Sequence, residues 1–162
     1  MIQLPERFKR DIEGRVTNLV PLIIIDDRIY LSTNKLSLSN DGESPTIHYD
    51  PLIKSLRSIR NSIDIESKLF RISSFSLTAF NYEYNNERLS DRIFHKSSMN
   101  AKVDVYYKSQ SAKSLLDCLK AYSGYIRNIE ESLDDMDIEI EDRTEISLNK
   151  EIPTRFVDPN LD

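Results

Sequence analysis

The stretch Ala101-Lys102-Val103-Asp104-Val105-Tyr106-Tyr107-Lys108 decides the fold class of this chain, because apolar and polar residues alternate along it. Such alternation predicts a strand with one buried face and one face in water. Two more segments repeat the pattern: Leu119 to Ile129, with Gly124 inside it, and Met136 to Glu141, after a turn at Asp134-Asp135. The three segments together predict an antiparallel meander.

A fourth strand is predicted far upstream of the meander, between Asn18 and Asp26. Its run Leu22-Ile23-Ile24-Ile25 has no polar face, so we expect both of its sides to be covered. Alternating segments then predict two shorter strands. They are Arg28 to Ser32 and Lys35 to Ser39, with turns at Asp26-Asp27 and Asn40-Asp41-Gly42.

A short helix is predicted from Leu4 to Glu13. Leu4, Phe8 and Ile12 recur at intervals of four and share one helix face, and Gly14 is placed to end the helix. A helix of this length needs a surface to pack against, either on the β-domain or on a neighbour.

The segment from Pro45 to Ile63 leaves two interpretations open, a short helix and an irregular loop. Its apolar residues approximate helical spacing, and three basic residues lie three apart in it. The apolar set is Leu52, Ile53, Leu56, Ile59 and Ile63, and the basic set is Lys54, Arg57 and Arg60.

From Ile63 to Phe80 the pattern is that of a strand again. Phe70 and Ile72 share one phase, whereas Phe75, Leu77 and Ala79 share the other. The step across Ser73-Ser74 predicts a β-bulge, which would bend this strand as strands bend in small barrels.

The remaining segments complete a predicted domain organisation. Residues 81–100 are polar and predict an exposed loop, with one helical turn at Ser90 to Phe94 and a length typical of a binding loop. Thr144 to Lys150 favours a short helix. We predict a helical extension at 1–15, a β-barrel-like domain at 16–152 and a C-terminal arm at 153–162. The predicted class is mainly β, a barrel or sandwich with an antiparallel meander and a few short helices, α+β at the margin.

Composition limits the classes of function. With 162 residues the chain fits one domain, and 22 basic against 27 acidic residues give a net charge of −5, which argues against nucleic acid as the main partner. The apolar run Leu19 to Ile25 is too short to span a membrane, and Met1 to Arg10 has no signal-peptide pattern. With one cysteine, no disulfide can form within the chain, so a reducing cytoplasm, or a particle assembled there, is expected.

The residues that usually carry chemistry are sparse. The three glycines lie too far apart for a phosphate-binding loop, and the histidines His48 and His95 have no metal-ligand spacing to each other or to Cys118. Cys118 stands in an apolar stretch and is interpreted as a small buried hydrophobe. The chain is therefore not predicted to be an enzyme, and no catalytic, cofactor-binding or metal-ligating residue and no cofactor is predicted.

An acidic run between Glu130 and Asp142 raises the question of calcium. An EF-hand loop needs a glycine at its sixth position, and none stands there when the loop is started at Asp134 or Asp135. Glu139 and Glu141 are better explained as the solvated face of a strand.

The tyrosines cluster in pairs. The pairs are Tyr82 and Tyr84, Tyr106 and Tyr107, and Tyr122 and Tyr125. Tyrosine favours strands and also interfaces, so β-propensity and an interaction surface explain the pairs equally well.

Four segments carry a resemblance to a known family. They are Ile63-Asp64-Ile65-Glu66-Ser67-Lys68-Leu69-Phe70-Arg71-Ile72-Ser73, Val103-Asp104-Val105-Tyr106-Tyr107, Tyr122-Ser123-Gly124-Tyr125-Ile126-Arg127-Asn128-Ile129 and Ile138-Glu139-Ile140-Glu141-Asp142. Their order resembles that in tail hub or baseplate proteins of tailed bacteriophages, over roughly Ile63 to Pro153.

The resemblance implies a small barrel of the tail-tube type whose copies form a homo-oligomeric ring around the tail channel. Its partners would be other copies and neighbouring tail or baseplate proteins, in a virion tail assembled in the host cytoplasm, with no membrane and no chemistry. Hub proteins often carry two barrels, whereas this chain has room for one. A minimal hub, a tail adaptor and the N-terminal part of a longer tail protein all stay open.

Two other classes of function compete with this one. An OB-like barrel binding nucleic acid or sugar would use a basic cluster, for which Lys54, Arg57, Arg60 and Arg71 are the candidates. A hydrolase using paired carboxylates, as in some phage lytic enzymes, is the third class, and no pair stands out for it.

Overall fold

The computed structural model describes residues 4–14, 18–57, 62–64, 69–71, 74–94 and 99–142, with backbone pairing alone for 62–64 and 69–71. The helices are α1 (Glu6–Glu13) and α2 (Leu89–Phe94), with a 3-10 helix at Leu115–Asp117. The strands are β1 (Val20–Ile25), β2 (Ile29–Ser32), β3 (Leu36–Leu38), β4 (Ile47–Tyr49), β5 (Ile53–Leu56), β6 (Ser62–Asp64), β7 (Leu69–Arg71), β8 (Ser74–Phe80), β9 (Lys102–Lys108), β10 (Leu119–Glu131) and β11 (Asp135–Asp142).

Seven strands form one antiparallel sheet in the order β2-β1-β9-β10-β11-β8-β5, and β3-β4 and β6-β7 pair as separate hairpins. β9, β10 and β11 are sequence neighbours that pair in that order, which confirms the predicted meander. The predicted class, mainly β with short helices, is likewise confirmed.

Strand β1 lies inside the sheet and is covered on both faces, as its sequence predicted. Ile23 and Ile25 belong to the main core, whereas Leu22 and Ile24 face the other way into a second apolar cluster. That second cluster is built with Leu38 of β3 and with β4, so the β3-β4 hairpin lies over the outer face of β1. β1, which has no polar side, is therefore covered by the main core on one side and by the β3-β4 hairpin on the other.

The main core lies on the inner face of the sheet and receives alternate residues from its strands. α2 packs against it through Leu89 and Ile93, which are fully buried. The strand residues that fill this core are Ile23, Ile25, Ile29, Leu31, Ile53, Phe75, Leu77, Ala79, Val103, Val105, Tyr122, Ile126, Met136, Ile138 and Ile140.

Over the described residues the sheet is strongly curled but is not a closed barrel, which corrects the barrel form of the prediction. β2 and β5 stand at its two ends, and a single bridge between Leu31 and Asp50 joins β2 to the segment before β5. Its hydrogen bonds run from Ser32 N to Asp50 O (2.8 Å) and from Asp50 N to Tyr30 O (2.9 Å). β2 is only four residues long, and beyond Asp50 the chain crosses to β8, so the two edges meet at one residue.

Two register shifts in β10 accompany this curl. One lies between Lys120 and Tyr122, against β9, and the other lies between Ile126 and Asn128, against β11. An extra residue bends a strand and increases its twist. Bulges at these points let the longest strand of the sheet follow the curve.

The segment from Pro45 to Ile63 contains strands, so both the short helix and the irregular loop were wrong for its described part. Tyr49 is buried in the outer cluster, whereas Leu52 and Ile53 are buried in the main core. The helix-like spacing of Ile53 and Leu56 arises from a register shift between Ile53 and Ser55 in the pairing with β8, which places two residues three apart on the core side.

The predicted bent strand from Phe70 to Ala79 is divided between two ladders. β7 pairs with β6, whereas β8 pairs with β11 and β5, and Phe75, Leu77 and Ala79 face the core as predicted. The proposed bulge stays a prediction, because residues 72 and 73 lie outside the described residues.

The polar segment 81–100 contains the predicted helical turn, at Leu89–Phe94, but it is not exposed throughout. Asn81 is fully buried: its Oδ1 accepts a hydrogen bond from Ser90 N (3.0 Å), and its Nδ2 donates to Ser132 O (3.2 Å). This amide ties the start of α2 to the β10-β11 turn. The predicted helix at Thr144 to Lys150 and the arm at 153–162 lie outside the described residues.

We expect Gly124→Ala to destabilise the fold by about 3 kcal/mol or more. A Cβ at this position would collide with the Glu141 carbonyl oxygen and lie 2.8 Å from Tyr122 Cε1. Gly14→Ala is the matched control, since its Cβ meets Arg10 O at 3.3 Å and its φ is −72°. Urea denaturation measures both variants, and equal stabilities would contradict the packing described for β10.

We expect Arg92→Met to lower the free energy of unfolding by about 1–2 kcal/mol. Arg92 Nη1 lies 2.6 Å from Asp50 Oδ2, with both side chains partly buried, so the change leaves the carboxylate of the bridging residue without its cation. Arg88→Met is the control, since the Arg88 side chain is exposed. Thermal unfolding that ranks Arg88→Met as the less stable variant would contradict this role.

Candidate functional site

The outer face of the sheet is divided into a covered half and a bare half. Over β1 and β9 it is covered by the β3-β4 hairpin and by the segment around Ala112 and Cys118. Over β11 and β8 the outward side chains are polar apart from the half-buried Phe80, and they reach solvent, because the buried residues of both strands all point into the core. The bare half is the candidate interaction surface of the sheet.

Carboxylates dominate this bare half. Asp135, Asp137, Glu139 and Glu141 alternate along β11 opposite the core residues, and we call these four the carboxylate face. Asp135 Oδ2 lies 2.5 Å from Lys54 Nζ, and Glu141 Oε2 lies 3.1 Å from Arg127 Nε. The interpretation of Glu139 and Glu141 as a solvated strand face agrees with this placement.

A shallow open groove of about 190 Å³ crosses the carboxylate face. Its lining is polar apart from Ile138, with Arg57 at one side. Ligand pockets are usually roughly 300–1,000 Å³ and mostly apolar. The groove therefore suits the side chain of a neighbouring protein better than an enclosed small molecule. The other lining residues are Ser76, Asn128, Glu130, Asp137 and Glu139.

Metal binding finds no support in the described ranges. They contain no group of three or more His, Cys, Asp or Glu side chains placed to hold an ion. The carboxylates that prompted the calcium question are spread along one strand, and each of Asp135 and Glu141 already has a cationic partner.

Of the basic cluster proposed for nucleic acid, the two described side chains, Lys54 and Arg57, do not form a basic groove. Lys54 contacts Asp135 and lies 5.7 Å from the centroid of the Phe80 ring, and Arg57 shares its groove with three carboxylates. Arg60 lies outside the described residues, and Arg71 is described by its backbone pairing with Ser62 alone.

The tyrosines do not form one surface. Tyr122 is buried in the core beside Phe75, with 5.7 Å between ring centroids, whereas Tyr82 is 45% exposed. Tyr106 is half-buried beneath Lys120 on the outer face. Their clustering in sequence reflects strand propensity more than a shared platform.

The surroundings of Cys118 and His48 give both residues a role in packing or strand pairing. Burial raises the pKa of the Cys118 thiol to about 11, which keeps it protonated and unreactive near neutral pH. This confirms Cys118 as a buried small residue. His48 Nδ1 lies 2.6 Å from Ser37 Oγ as a cross-strand pair on the exposed side of the β3-β4 hairpin. No carboxylate among the described residues contacts the His48 ring.

Sequence reasoning missed a buried charge network on β9. Asp104 is 6% exposed, accepts a hydrogen bond from Ser123 Oγ at 2.5 Å and lies 2.9 Å from the Nζ of both Lys102 and Lys120. Burial pushes the pKa of Asp104 upward, but the Ser123 hydroxyl and the two lysines outweigh it and lower the pKa. The alternation of β9 indicated an outward residue here without showing that it would be enclosed.

Comparison with known proteins gives a match in structure. The fold is similar to that of a chain in the virion of a native gene transfer agent particle, with a TM-score of 0.60 and 15% identity. The match covers 91% of this chain and 47% of that chain, so this chain spans about half the length of the other. No protein-family model and no curated protein matches. At this identity the likeness shows a shared fold.

Neither α-helix in the described part of the chain has the length and apolar character needed to cross a bilayer.

We expect Asp104→Asn to destabilise the domain by about 1–3 kcal/mol at neutral pH, since two lysines lose their counter-charge. Because the folded-state pKa of Asp104 is lowered, its stabilisation is present above the unfolded value of about 4 and is lost as the pH falls through the folded value. Denaturant titrations at several pH values should show the variant and wild type converging in acid. Asp134→Asn, at an exposed position, is the control.

Proposed function

We propose that this chain is a structural component of a phage-like virion. The observation that carries the proposal is the fold likeness to a gene transfer agent virion chain, which extends over 91% of the present chain. The match includes less than half of the virion chain. Any role of that whole chain is therefore only proposed for the present chain.

More specifically, the proposed role is that of a tail hub, baseplate or tail-adaptor protein that forms a ring and joins neighbouring tail proteins. The resemblance of Ile63 to Pro153 to such proteins supports this place in the particle. A joining protein needs separate surfaces for separate neighbours. The carboxylate face differs in chemistry from the exposed apolar residues Ile12 of α1 and Leu116 of the 3-10 helix, so the chain offers two unlike surfaces to two neighbours.

A role without catalysis fits the surfaces of the described residues. The groove on the carboxylate face is open and polar, and the buried thiol of Cys118 is held in its protonated form. Assembly proteins act through exposed surface, so an enclosed reaction site is not required of them.

The alternative of an OB-like ligand-binding barrel stays a prediction, and the surroundings of its basic residues speak against it. Nucleic-acid binding needs a positive groove along the phosphates. Here Lys54 is neutralised by Asp135, and Arg57 lies beside Glu130, Asp137 and Glu139. Mobility-shift measurements with labelled single strands at low salt distinguish the two, and tight salt-dependent binding would favour the alternative.

The proposed function is tested on purified particles and on particles made without the chain. We expect mass spectrometry of purified particles to recover the chain at a fixed copy number, and deletion of its gene to yield particles with incomplete tails by electron microscopy. Complementation with the Gly14→Ala variant should restore complete tails, whereas the Gly124→Ala variant should restore few, because its fold is destabilised. Complete, active particles that lack the chain would overturn the proposal.

A further inference from the structure

The turn between β3 and β4 contains the single Asp-Gly step of the chain, Asp41-Gly42, and the sequence has no Asn-Gly step. Asp-Gly steps are prone to isomerisation, in which the glycine nitrogen attacks the side-chain carboxyl of the aspartate. Glycine favours this attack because it has no side chain to hinder the approach. Both residues are exposed in the hairpin, so the sequence marks this step as the place where the backbone would isomerise first.

The turn nevertheless requires both residues. Gly42 has a φ of +92°, a conformation that side chains rarely adopt, although a Cβ there would have open space around it. Asp41 closes the turn with its carboxylate, because its Oδ1 accepts hydrogen bonds from the N–H groups of Glu43 (2.9 Å) and Ser44 (2.6 Å). The fold thus keeps a labile pair of residues at this position.

The same contacts hold the carboxyl group in its unreactive form. Attack by the nitrogen expels one carboxyl oxygen as water, so it requires the protonated acid and not the carboxylate. The N–H and the hydroxyl of Ser44, with the N–H of Glu43, donate to Asp41 and lower its pKa to about 2. In the unfolded chain, where the pKa is about 4, the protonated fraction near neutral pH is larger by roughly tenfold or more.

The attacking nitrogen is restrained as well. The N–H of Gly42 donates to Ser39 Oγ at 2.8 Å, and attack requires this proton to be given up. Ser39 is itself fixed in place, because its carbonyl oxygen accepts a hydrogen bond from Leu115 N–H (2.9 Å) and its backbone forms a bridge with Ser114. Both reacting groups are therefore restrained while the hairpin is folded.

We propose that Asp41-Gly42 is the isoaspartate-forming site of this chain and that Ser39 and Ser44 protect it in the folded hairpin. In the reaction a bond forms between Gly42 N and Asp41 Cγ, and the carboxyl hydroxyl leaves as water with the proton of that nitrogen. Water then opens the cyclic imide at the main-chain carbonyl of Asp41, and the chain continues through Cβ and Cγ. One water leaves and one returns, so no oxidant or other reactant is needed.

Isomerisation would alter the hairpin that covers β1. The backbone of the turn becomes one atom longer, and the arms of the hairpin carry Leu38 and Tyr49, which pack with Leu22 and Ile24 of β1. Protection of this step therefore preserves the cover over the outer face of β1. The inference goes beyond the proposed function and does not depend on it.

The test follows the imide directly. The full chain is incubated in water enriched in heavy oxygen, which labels Asp41 each time the imide opens, and peptides digested in ordinary water are measured by mass spectrometry. The urea-unfolded chain gives the unprotected rate. The double variant Ser39→Ala/Ser44→Ala removes both side-chain contacts. Ser37→Ala is the matched control, because Ser37 lies on the same hairpin and its Oγ contacts His48 instead.

We expect folded wild type to be labelled more slowly than the unfolded chain by roughly tenfold or more. The double variant should be labelled several-fold faster than wild type, and Ser37→Ala should match wild type, with circular dichroism confirming that each is folded. Should the double variant not fold, Ser44→Ala alone, which keeps both backbone donors, takes its place and should still be labelled faster than wild type.

Three results would overturn the inference. They are folded wild type labelled as fast as the unfolded chain, the folded serine variants labelled no faster than Ser37→Ala, and label that gathers first at a different aspartate.

Discussion

The burial of β1 on both of its faces is the constraint on which the rest of this structure depends. Four consecutive apolar residues, Leu22 to Ile25, cannot alternate between core and water, so the chain has to supply two covers for one strand. The curled sheet closes over one side, and the β3-β4 hairpin with the segment around Cys118 closes over the other. The division of the outer face into a covered and a bare half follows from this requirement.

Covering the inner side requires the sheet to curl until its ends approach. Asp50 stands where this happens: its backbone joins β2, its side chain binds Arg92 of α2, and the chain then crosses to β8 as β5. One residue thus links an edge of the sheet to the helix that covers the core. Because the edges meet only there, β5 keeps its other edge unpaired among the described strands.

The sequence was sufficient for the parts of the fold that depend on local alternation. The meander, the doubly covered β1 and the short α1 follow from patterns in which each apolar residue serves one core. The segment around Leu52 and Leu56 was misread because a register shift against β8 places Ile53 and Leu56, three apart, on the same core side, and their spacing then imitates a helix. The enclosure of Asp104 was missed for a related reason, since cross-strand partners such as Ser123 are known only from the register.

The candidate surfaces were predicted less well than the fold, and the cause is again register. Composition indicated an acidic chain and alternation placed Glu139 on a wet strand face, but neither showed that Lys54 of β5 and Arg57, just after it, are brought to the same face. Because of the strand pairing, the two described residues of the candidate basic site lie at the edge of the carboxylate face. A protein that binds its neighbours through its surface is understood from how charge is distributed over that surface. That distribution indicates its function better than any single residue does.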